Sequence, residues 1–452
     1  MRPTDQTIAL SNPDGAQLGT IQKAGLAILA AGLFAALIAL GVRENSQPWL
    51  FFIVSFGLVT VGTLIFIINT FLSQPPGVKN NGIWFKPISS RKNAAYLLGI
   101  IITVFYIVLY WFPGYLENWI RMCDPLSQLL RSKPADQWFL YGTFYTISIV
   151  IMGLRAILKY RHSPYQIIRT SSIIFFQLGF AYLIPALLQF LNQPEFYFSY
   201  FWPLKYNYLF PNDIHSLLSQ PGGLGVFMVF WTAVMSLIAT PILTYFFGKR
   251  WYCSWVCGCG GLANTAGDSF RQLSDKSLRA WKIERRTVYS VLVLIVLITA
   301  LLWINSFSGG TVFGSLSTGL AKSYGFFIGA IFSGVIGVGF YPIMGTRVWC
   351  RFGCPMAAYL GILQKYFSRF RITTNGGQCI SCGNCSTYCE MGIDVRWYAQ
   401  RGQNIVRASC VGCGMCSTVC PRGVLNLENG PMHGRMENGP IQLSEKGPYI
   451  PS

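Results

Sequence analysis

Charge is what this 452-residue chain has least of. Asp, Glu, Lys and Arg together make up 11% of it, against about 25% in an ordinary soluble domain. Hydrophobic residues make up 52% and the mean hydropathy is +0.42. That balance excludes a soluble globular enzyme and points to a polytopic membrane protein. Carboxylates number only 16 and histidines three, His162, His215 and His433. So few acids leave no paired-carboxylate site, no Ser/His/Asp arrangement stands out, and the histidines are too few for a transmembrane di-haem protein. Gly222-Gly223 and Gly260-Gly261 lack the strand–turn–helix context of a nucleotide loop. Residues 1–23 are polar and lack the short apolar core of a signal peptide. The net charge of +19 would suggest nucleic acid in a soluble chain. In a membrane chain its placement decides, and nucleic acid is excluded as a partner.

What is present is a series of apolar runs long enough to cross a bilayer. They are Ala24–Val42, Trp49–Leu72, Ala94–Phe112, Trp138–Leu158, Ile173–Leu191, Gly223–Phe247, Thr287–Ile304 and Tyr324–Met344. Lys and Arg crowd alternate connections. Of 35, only Arg43, Arg121, Arg131, Lys133, Lys205 and Lys322 fall in the other set. The positive-inside rule then places both termini in the cytoplasm. Of the cysteines only Cys123 lies on the far side, where a structural thiol is expected. The aromatic-rich segment 192–222 reads as an interfacial belt, with a docking face or part of a quinone pocket as the functional alternative. His162 sits beside Arg155, Lys159 and Arg161 in a basic connection, where a plain interfacial role is expected.

Fourteen cysteines carry the chemistry. Cys379, Cys382, Cys385 and Cys389, then Cys410, Cys413, Cys416 and Cys420, each follow C-x-x-C-x-x-C-x-x-x-C. This spacing wraps a cubane cluster in two-cluster bacterial ferredoxins, where the fourth Cys of each run ligates the other cluster. Three thiolates on one tight loop cap three irons, and the fourth iron must be met from elsewhere. Cys379, Cys382, Cys385 and Cys420 are thus assigned to one [4Fe–4S] cluster, and Cys410, Cys413, Cys416 and Cys389 to a second. Zinc sites show paired C-x-x-C motifs across a longer loop, and a cytosolic segment disfavours disulfides. Glu390 follows Cys389 where Pro421 follows Cys420, a departure in the turn after the ligand.

A second constellation is an internal repeat, Gly248-Lys-Arg-Trp-Tyr-Cys253-Ser-Trp-Val-Cys257-Gly258 and Gly345-Thr-Arg-Val-Trp-Cys350-Arg-Phe-Gly-Cys354-Pro355. A spacing of four places two thiols on one helical face, so two adjacent spans would gather Cys253, Cys257, Cys350 and Cys354 at the membrane face. Arg250 and Arg347 would favour thiolates. A further iron–sulfur centre, iron or Cu(I), or a dithiol–disulfide pair all fit, with Cys259 as an additional ligand.

The expected fold is a polytopic α-helical membrane protein of about eight spans, with a cytoplasmic, ferredoxin-like α+β domain holding two [4Fe–4S] clusters. The division is a five-span region at 1–222, a region of two span–C-x-x-x-C repeats at 223–371, the ferredoxin domain at 372–425 and a polar, irregular tail at 426–452. From Gly223 to Pro421 these motifs resemble the NapH/NosR/CcoG-type membrane polyferredoxins. Gly258 and Cys259 depart from the family's C-x-x-x-C-P, and no outer loop is large enough for a flavin domain. The resemblance implies electron transfer between the quinone pool or a cytosolic donor and a periplasmic or membrane reductase partner. A soluble ferredoxin or flavodoxin donor would suit the cations Arg369, Arg371, Arg396, Arg401, Arg407 and Arg422. The alternatives are a copper-reducing assembly or maturation factor and a redox-sensing regulator.

Overall fold

The computed structural model describes residues 18–42, 47–72, 76, 93–432, 442–444 and 447–449. The basic residues Lys79, Lys86, Arg91 and Lys92 expected between the second and third spans, and His433, lie outside them. Eight helices are long and apolar enough to cross a membrane: α1 (Thr20–Gly41), α2 (Pro48–Leu72), α3 (Asn93–Trp111), α4 (Gln137–Lys159), α5 (Pro164–Phe190), α6 (Leu224–Phe247), α7 (Leu278–Phe307) and α8 (Gly314–Gly339). The protein is thus a polytopic helical membrane protein, with eight candidate spans among the described residues. Several helices outlast their apolar runs, because polar turns at a helix end keep their hydrogen bonds beyond the hydrocarbon. With 30 residues, α7 is about 45 Å long against a bilayer core of about 30 Å.

Pro185 and Pro241 sit inside spans without breaking them. Each directly follows a π-helical stretch, Phe176–Leu183 and Met235–Ala239, where the widened turn relieves the clash between the proline ring and the preceding turn. Beside Pro241 the Thr240 hydroxyl donates to the Met235 carbonyl at 2.6 Å and the Tyr359 hydroxyl to the Ser236 carbonyl at 3.2 Å, so side chains satisfy backbone carbonyls next to the proline.

The chain forms two compact units, Met1–Tyr197 with Gly261–Ser269, and Phe198–Gly260 with Phe270–Ser452. In the first, α1 and α2 pack backbone to backbone. A Cβ on Gly62 would lie 2.4 Å from the Leu29 nitrogen, the close approach that small residues permit between membrane helices. Cys123 is buried among Leu109, Leu116, Phe139 and Leu140. Burial, and then the charge of Asp124, push its thiol up to about 12, so it is inert packing. Arg155 and Lys159 are not interfacial. Both are fully buried and pair with Asp268 at 3.4 and 2.6 Å, while the Tyr160 hydroxyl donates to the same carboxylate at 2.8 Å. His162 is exposed.

The second unit holds α6, α7, α8, the cysteine motifs and the ferredoxin segment. After α6 and after α8 the chain reverses at the glycine that opens each repeat. Gly248 has φ 68° and ψ −178°, and Gly345 has φ 90° and ψ 177°, a region essentially closed to residues with a Cβ. The reversal folds each cysteine motif back along its own bundle. Trp349 packs on Phe332 at 5.9 Å and against Gly337, so the second motif lies alongside the end of α8.

The aromatic segment is not an interfacial belt. Phe201, Tyr208 and Phe210 are buried, and Phe201 stacks on Trp251 at 6.2 Å and meets Tyr252 at 4.9 Å. The Tyr252 hydroxyl donates to the Ser199 carbonyl at 3.0 Å. Farther along, the Trp202 indole reaches Thr299 in α7 at 3.3 Å, Tyr206 meets Tyr324 at 5.2 Å, and Trp303 donates to the Leu209 carbonyl at 2.9 Å. Residues 198–210 therefore run through the bundle from the first cysteine motif toward the opposite ends of α7 and α8. Irregular backbone at such depth is tolerated because protein surrounds it.

Helix α9 (Pro355–Phe367) then leads into strand β1 (Arg371–Thr374), which pairs antiparallel with β2 (Leu425–Glu428), placing Arg371 opposite Glu428 and Thr374 opposite Leu425. The strands close the ferredoxin fold from both sides of its cysteine runs. The tail expected to be irregular contributes 426–428 to β2, and Gln442–Ser444 pairs with Gly447–Tyr449. Replacing Gly345 tests the reversal. A Cβ there would lie 2.4 Å from the Ser274 hydroxyl, so Gly345→Ala should cost at least about 1–3 kcal/mol, seen as a lower midpoint in detergent-phase thermal unfolding.

Candidate functional site

Each four-cysteine run folds by the same local rule. Gly383 and Gly414, at φ 80° and 72°, open the short helices Asn384–Thr387 and Met415–Thr418, and the left-handed glycine lets the loop curl tightly. Gly412 has φ 61°, and in the first run Ser381 takes the equivalent place at φ 59°. Past each helix the chain brings its fourth cysteine round to the other run. The result is two cavities. Cys379, Cys382, Cys385 and Cys420 line one, and Cys389, Cys410, Cys413 and Cys416 line the other. These are the two sets that the spacing pairs across the runs.

The residues fit cubane clusters. Ile393 N–H donates to the Cys389 sulfur at 3.3 Å and Val424 N–H to the Cys420 sulfur at 3.4 Å. Such N–H···S bonds are a protein's handle on cluster potential. Among the described residues no three His, Cys, Asp or Glu side chains converge closely enough to hold a single metal ion. The thiols surround spaces instead, which argues against structural zinc. Burial raises the Cys389 and Cys410 thiols, the latter to about 11, so bound iron would have to supply the charge that makes them thiolates.

The two cavities differ in exposure. Cys382 is exposed and Cys379 half-buried, whereas Cys410 and Cys416 are buried. Arg396 and Arg422 line the outer cavity. The other four cations expected to surround the clusters are engaged elsewhere: Arg401 lies over Trp397 at 4.0 Å, Arg407 over Trp281 at 4.6 Å, Arg371 pairs with Glu428 at 3.6 Å, and Arg369 donates to the Gly430 carbonyl at 3.3 Å.

The C-x-x-x-C motifs do not lie on continuous helices. Cys253 closes the single turn Arg250–Cys253, and Cys350 lies in the short helix Val348–Phe352. Each chain then breaks with the same bond, Cys257 N–H to the Tyr252 carbonyl and Cys354 N–H to the Trp349 carbonyl, both 2.9 Å. Cys354 caps α9, its sulfur accepting from Ala357 N–H at 3.4 Å, with Pro355 at the first helical position, where a missing N–H costs nothing. Cys257 occupies the matching place before the helix Gly258–Asn264. A hydrogen bond from the Cys259 thiol, with backbone amides of Cys259 and Gly260, lowers the Cys257 thiol to about 7 against its burial.

Cys253, Cys257, Cys350 and Cys354 share one buried cluster, with Cys259 at its edge. Their charges act on one another: Cys253 on Cys354, and Cys257 on both Cys350 and Cys354. The gathering expected from the repeat is present, by helix–turn–helix breaks rather than by one helical face.

What joins this cluster to the ferredoxin segment was not assigned a role from the sequence. Glu390, next to Cys389, is fully buried. It accepts from Arg271 at 2.6 Å and from Arg347 at 2.8 Å. Arg347 also reaches the Cys350 sulfur at 3.6 Å and the Cys253 carbonyl at 3.3 Å. Two further side chains, Ser254 and Gln364, tie the inner cavity to the first motif. The Ser254 hydroxyl donates to the Val411 carbonyl at 2.7 Å. Gln364 donates to the Cys410 carbonyl at 2.7 Å and accepts from Lys249 N–H at 2.7 Å. The only sequence signal for Glu390 was its departure from the proline in the second run.

Residues 369–428 match the family model described as a 4Fe-4S dicluster domain. Residues 229–279 and 324–374, which hold the two repeats, match a model described as a 4Fe-4S binding domain. These matches fit a membrane polyferredoxin. Among curated proteins the chain is similar to YccM of Escherichia coli (strain K12), provisionally named an electron transport protein, with 27% identity over 36% of this chain and 47% of that one. It is also similar to the methylamine utilization ferredoxin-type protein MauN of Methylobacillus flagellatus, with 28% identity over 35% of this chain and 54% of that one. The chain spans about half the length of these curated relatives. No solved structure matches it. Both cysteine regions of the chain are thus of the kind that binds [4Fe–4S] clusters.

Truncating the joint carboxylate would leave Arg271 and Arg347 buried without a counter-charge. Glu390→Ala should destabilise the protein by about 3–5 kcal/mol. In anaerobic preparations it should perturb the EPR signal of the inner cluster more than that of the outer one.

Proposed function

We propose that the protein relays electrons between its ferredoxin segment and the thiols of the two C-x-x-x-C motifs at the span ends, and from there to a quinone or a partner reductase. Cys379, Cys382, Cys385 and Cys420 would hold the outer cluster, and Cys389, Cys410, Cys413 and Cys416 the inner one. When bound, the clusters supply one-electron transfer. The chain's own part is to seat them, donate N–H groups to their sulfurs and shield the inner set from water.

The observation that carries this reading is the Glu390–Arg347–Cys350 link. It fixes a residue adjacent to an inner-set cysteine against the sulfur of the membrane cluster, with a 2.8 Å bond on one side and a 3.6 Å contact on the other. The exposed Cys382, flanked by Arg396 and Arg422, suits entry from an acidic ferredoxin or flavodoxin. The distribution of Lys and Arg supports a bacterial inner membrane with both termini, and hence the ferredoxin segment, in the cytoplasm. The relatives' names, an electron transport protein and a ferredoxin-type protein, agree with electron transfer.

The match of the two repeats to a 4Fe-4S binding model supports a further iron–sulfur centre as the membrane station. The experiment compares parent protein with Cys350→Ser in liposomes, each reduced with dithionite and then reoxidised by a lipid-soluble quinone analogue. The parent should reoxidise fast and contain more iron than the roughly eight atoms of two cubanes. Cys350→Ser should lose the excess iron and reoxidise at least tenfold more slowly, with both cubane EPR signals kept. Equal reoxidation rates would contradict the relay. Eight irons in both proteins would leave the membrane thiols as a dithiol pair rather than a metal centre.

A further inference from the structure

Beside the Cys350 segment lies a cavity of about 540 Å³, within the range of small-molecule sites of roughly 300–1,000 Å³. Of the residues on the electron route only Cys350 touches it, and the route needs no ligand there. Its walls are the first turns of α7, one side of α9 and the loop 406–409, with Lys249, Cys350 and Arg351 among its other lining residues. Five cations face it, Lys249, Arg285, Arg351, Lys365 and Arg407, against a single carboxylate, Glu284. That carboxylate is already paired with Arg351 at 3.0 Å.

The Glu284 charge also acts on Lys249 and Arg407, but the direct contacts of the other four cations are with neutral groups. Arg285 and Arg407 lie over the Trp281 ring at 5.1 and 4.6 Å. Lys365 meets the Tyr366 hydroxyl at 3.4 Å, and the buried Lys249 donates to the Ala408 carbonyl at 3.2 Å. Four like charges around one space repel one another unless an anion joins them. The guanidinium fork matches phosphate oxygens in particular. Because α7 is longer than the hydrocarbon core, its first turns stand at headgroup level. Trp281, Tyr289 and Tyr366 are the residue types that settle there.

We propose that this cavity binds the phosphate of an anionic phospholipid headgroup, a site independent of the relay. A soluble phosphate ester offers the same chemistry, so the test includes inorganic phosphate. Full-length holoprotein in detergent is titrated with phosphatidylglycerol and with phosphatidylcholine of the same acyl chains, and bound lipid is read by native mass spectrometry. The variant is Arg285→Gln/Lys365→Gln, two side chains that are exposed and half-buried, with the cubane EPR signals as the check on folding. The control is Lys322→Gln, an exposed cation at the other end of the bundle.

Parent protein should prefer phosphatidylglycerol, and the double variant should lose roughly fivefold in affinity per cation removed, about 25-fold in all, with the control unchanged. Displacement by millimolar inorganic phosphate would identify a soluble phosphate ester as a ligand of the same site, and resistance to it would identify the lipid. Equal binding of the two lipids, or a double variant no weaker than the control, would overturn the proposal. No arm requires electron transfer, so the outcome stands whatever the relay does.

Discussion

One carboxylate holds the two halves of the chemistry together. Glu390 sits without solvent contact between two arginines, Arg271 and Arg347. An isolated charge at such a place would cost several kcal/mol, and only close partners make it tenable. The arrangement is a constraint as much as an interaction. Arg271 comes from the segment after the first cysteine motif, Arg347 from the start of the second, and Glu390 from the first ferredoxin run. All three segments must be in place for the full set of charges to be satisfied, which couples the inner cysteine set to the repeats.

The rest of the second unit reads as consequences of that fastening. Gly248 and Gly345 reverse the chain so that the cysteine motifs turn back along their helices. Gln364 and Ser254 then tie the backbone around Lys249 and Cys253 to the loop of Cys410 and Val411. Burial follows the same order, from the exposed Cys382 to the buried Cys416 and Cys350. A gradient from solvent to protein interior suits a protein that receives electrons at a surface and passes them inward.

The spans and the two cysteine sets were legible in the sequence, because long apolar runs and a twice-repeated ligand spacing are local patterns with few alternatives. Residues 198–210 were not. Their aromatic content is what an interfacial belt looks like, and only the ring contacts with Trp251, Tyr252 and Tyr324 show the segment threaded through the bundle. The helical face assumed for C-x-x-x-C failed because Pro355 and the matching Gly258 start new helices, which a spacing rule does not register. Arg155 and Lys159 read as a basic interface because their partner Asp268 is more than a hundred residues away in the chain. Glu390 was visible only as a missing proline, since a charge whose partners lie 43 and 119 residues away leaves no local signature.

The coupling of the inner cluster to the membrane thiols is tested most directly by potentiometric EPR titration of both clusters in parent protein and Glu390→Gln. Gln keeps the shape and removes one negative charge beside Cys389, which should favour the more negative, reduced state of the nearby cluster. The account predicts a higher midpoint potential for the inner cluster with the outer one unmoved. Two unmoved potentials, or two that shift equally, would contradict it.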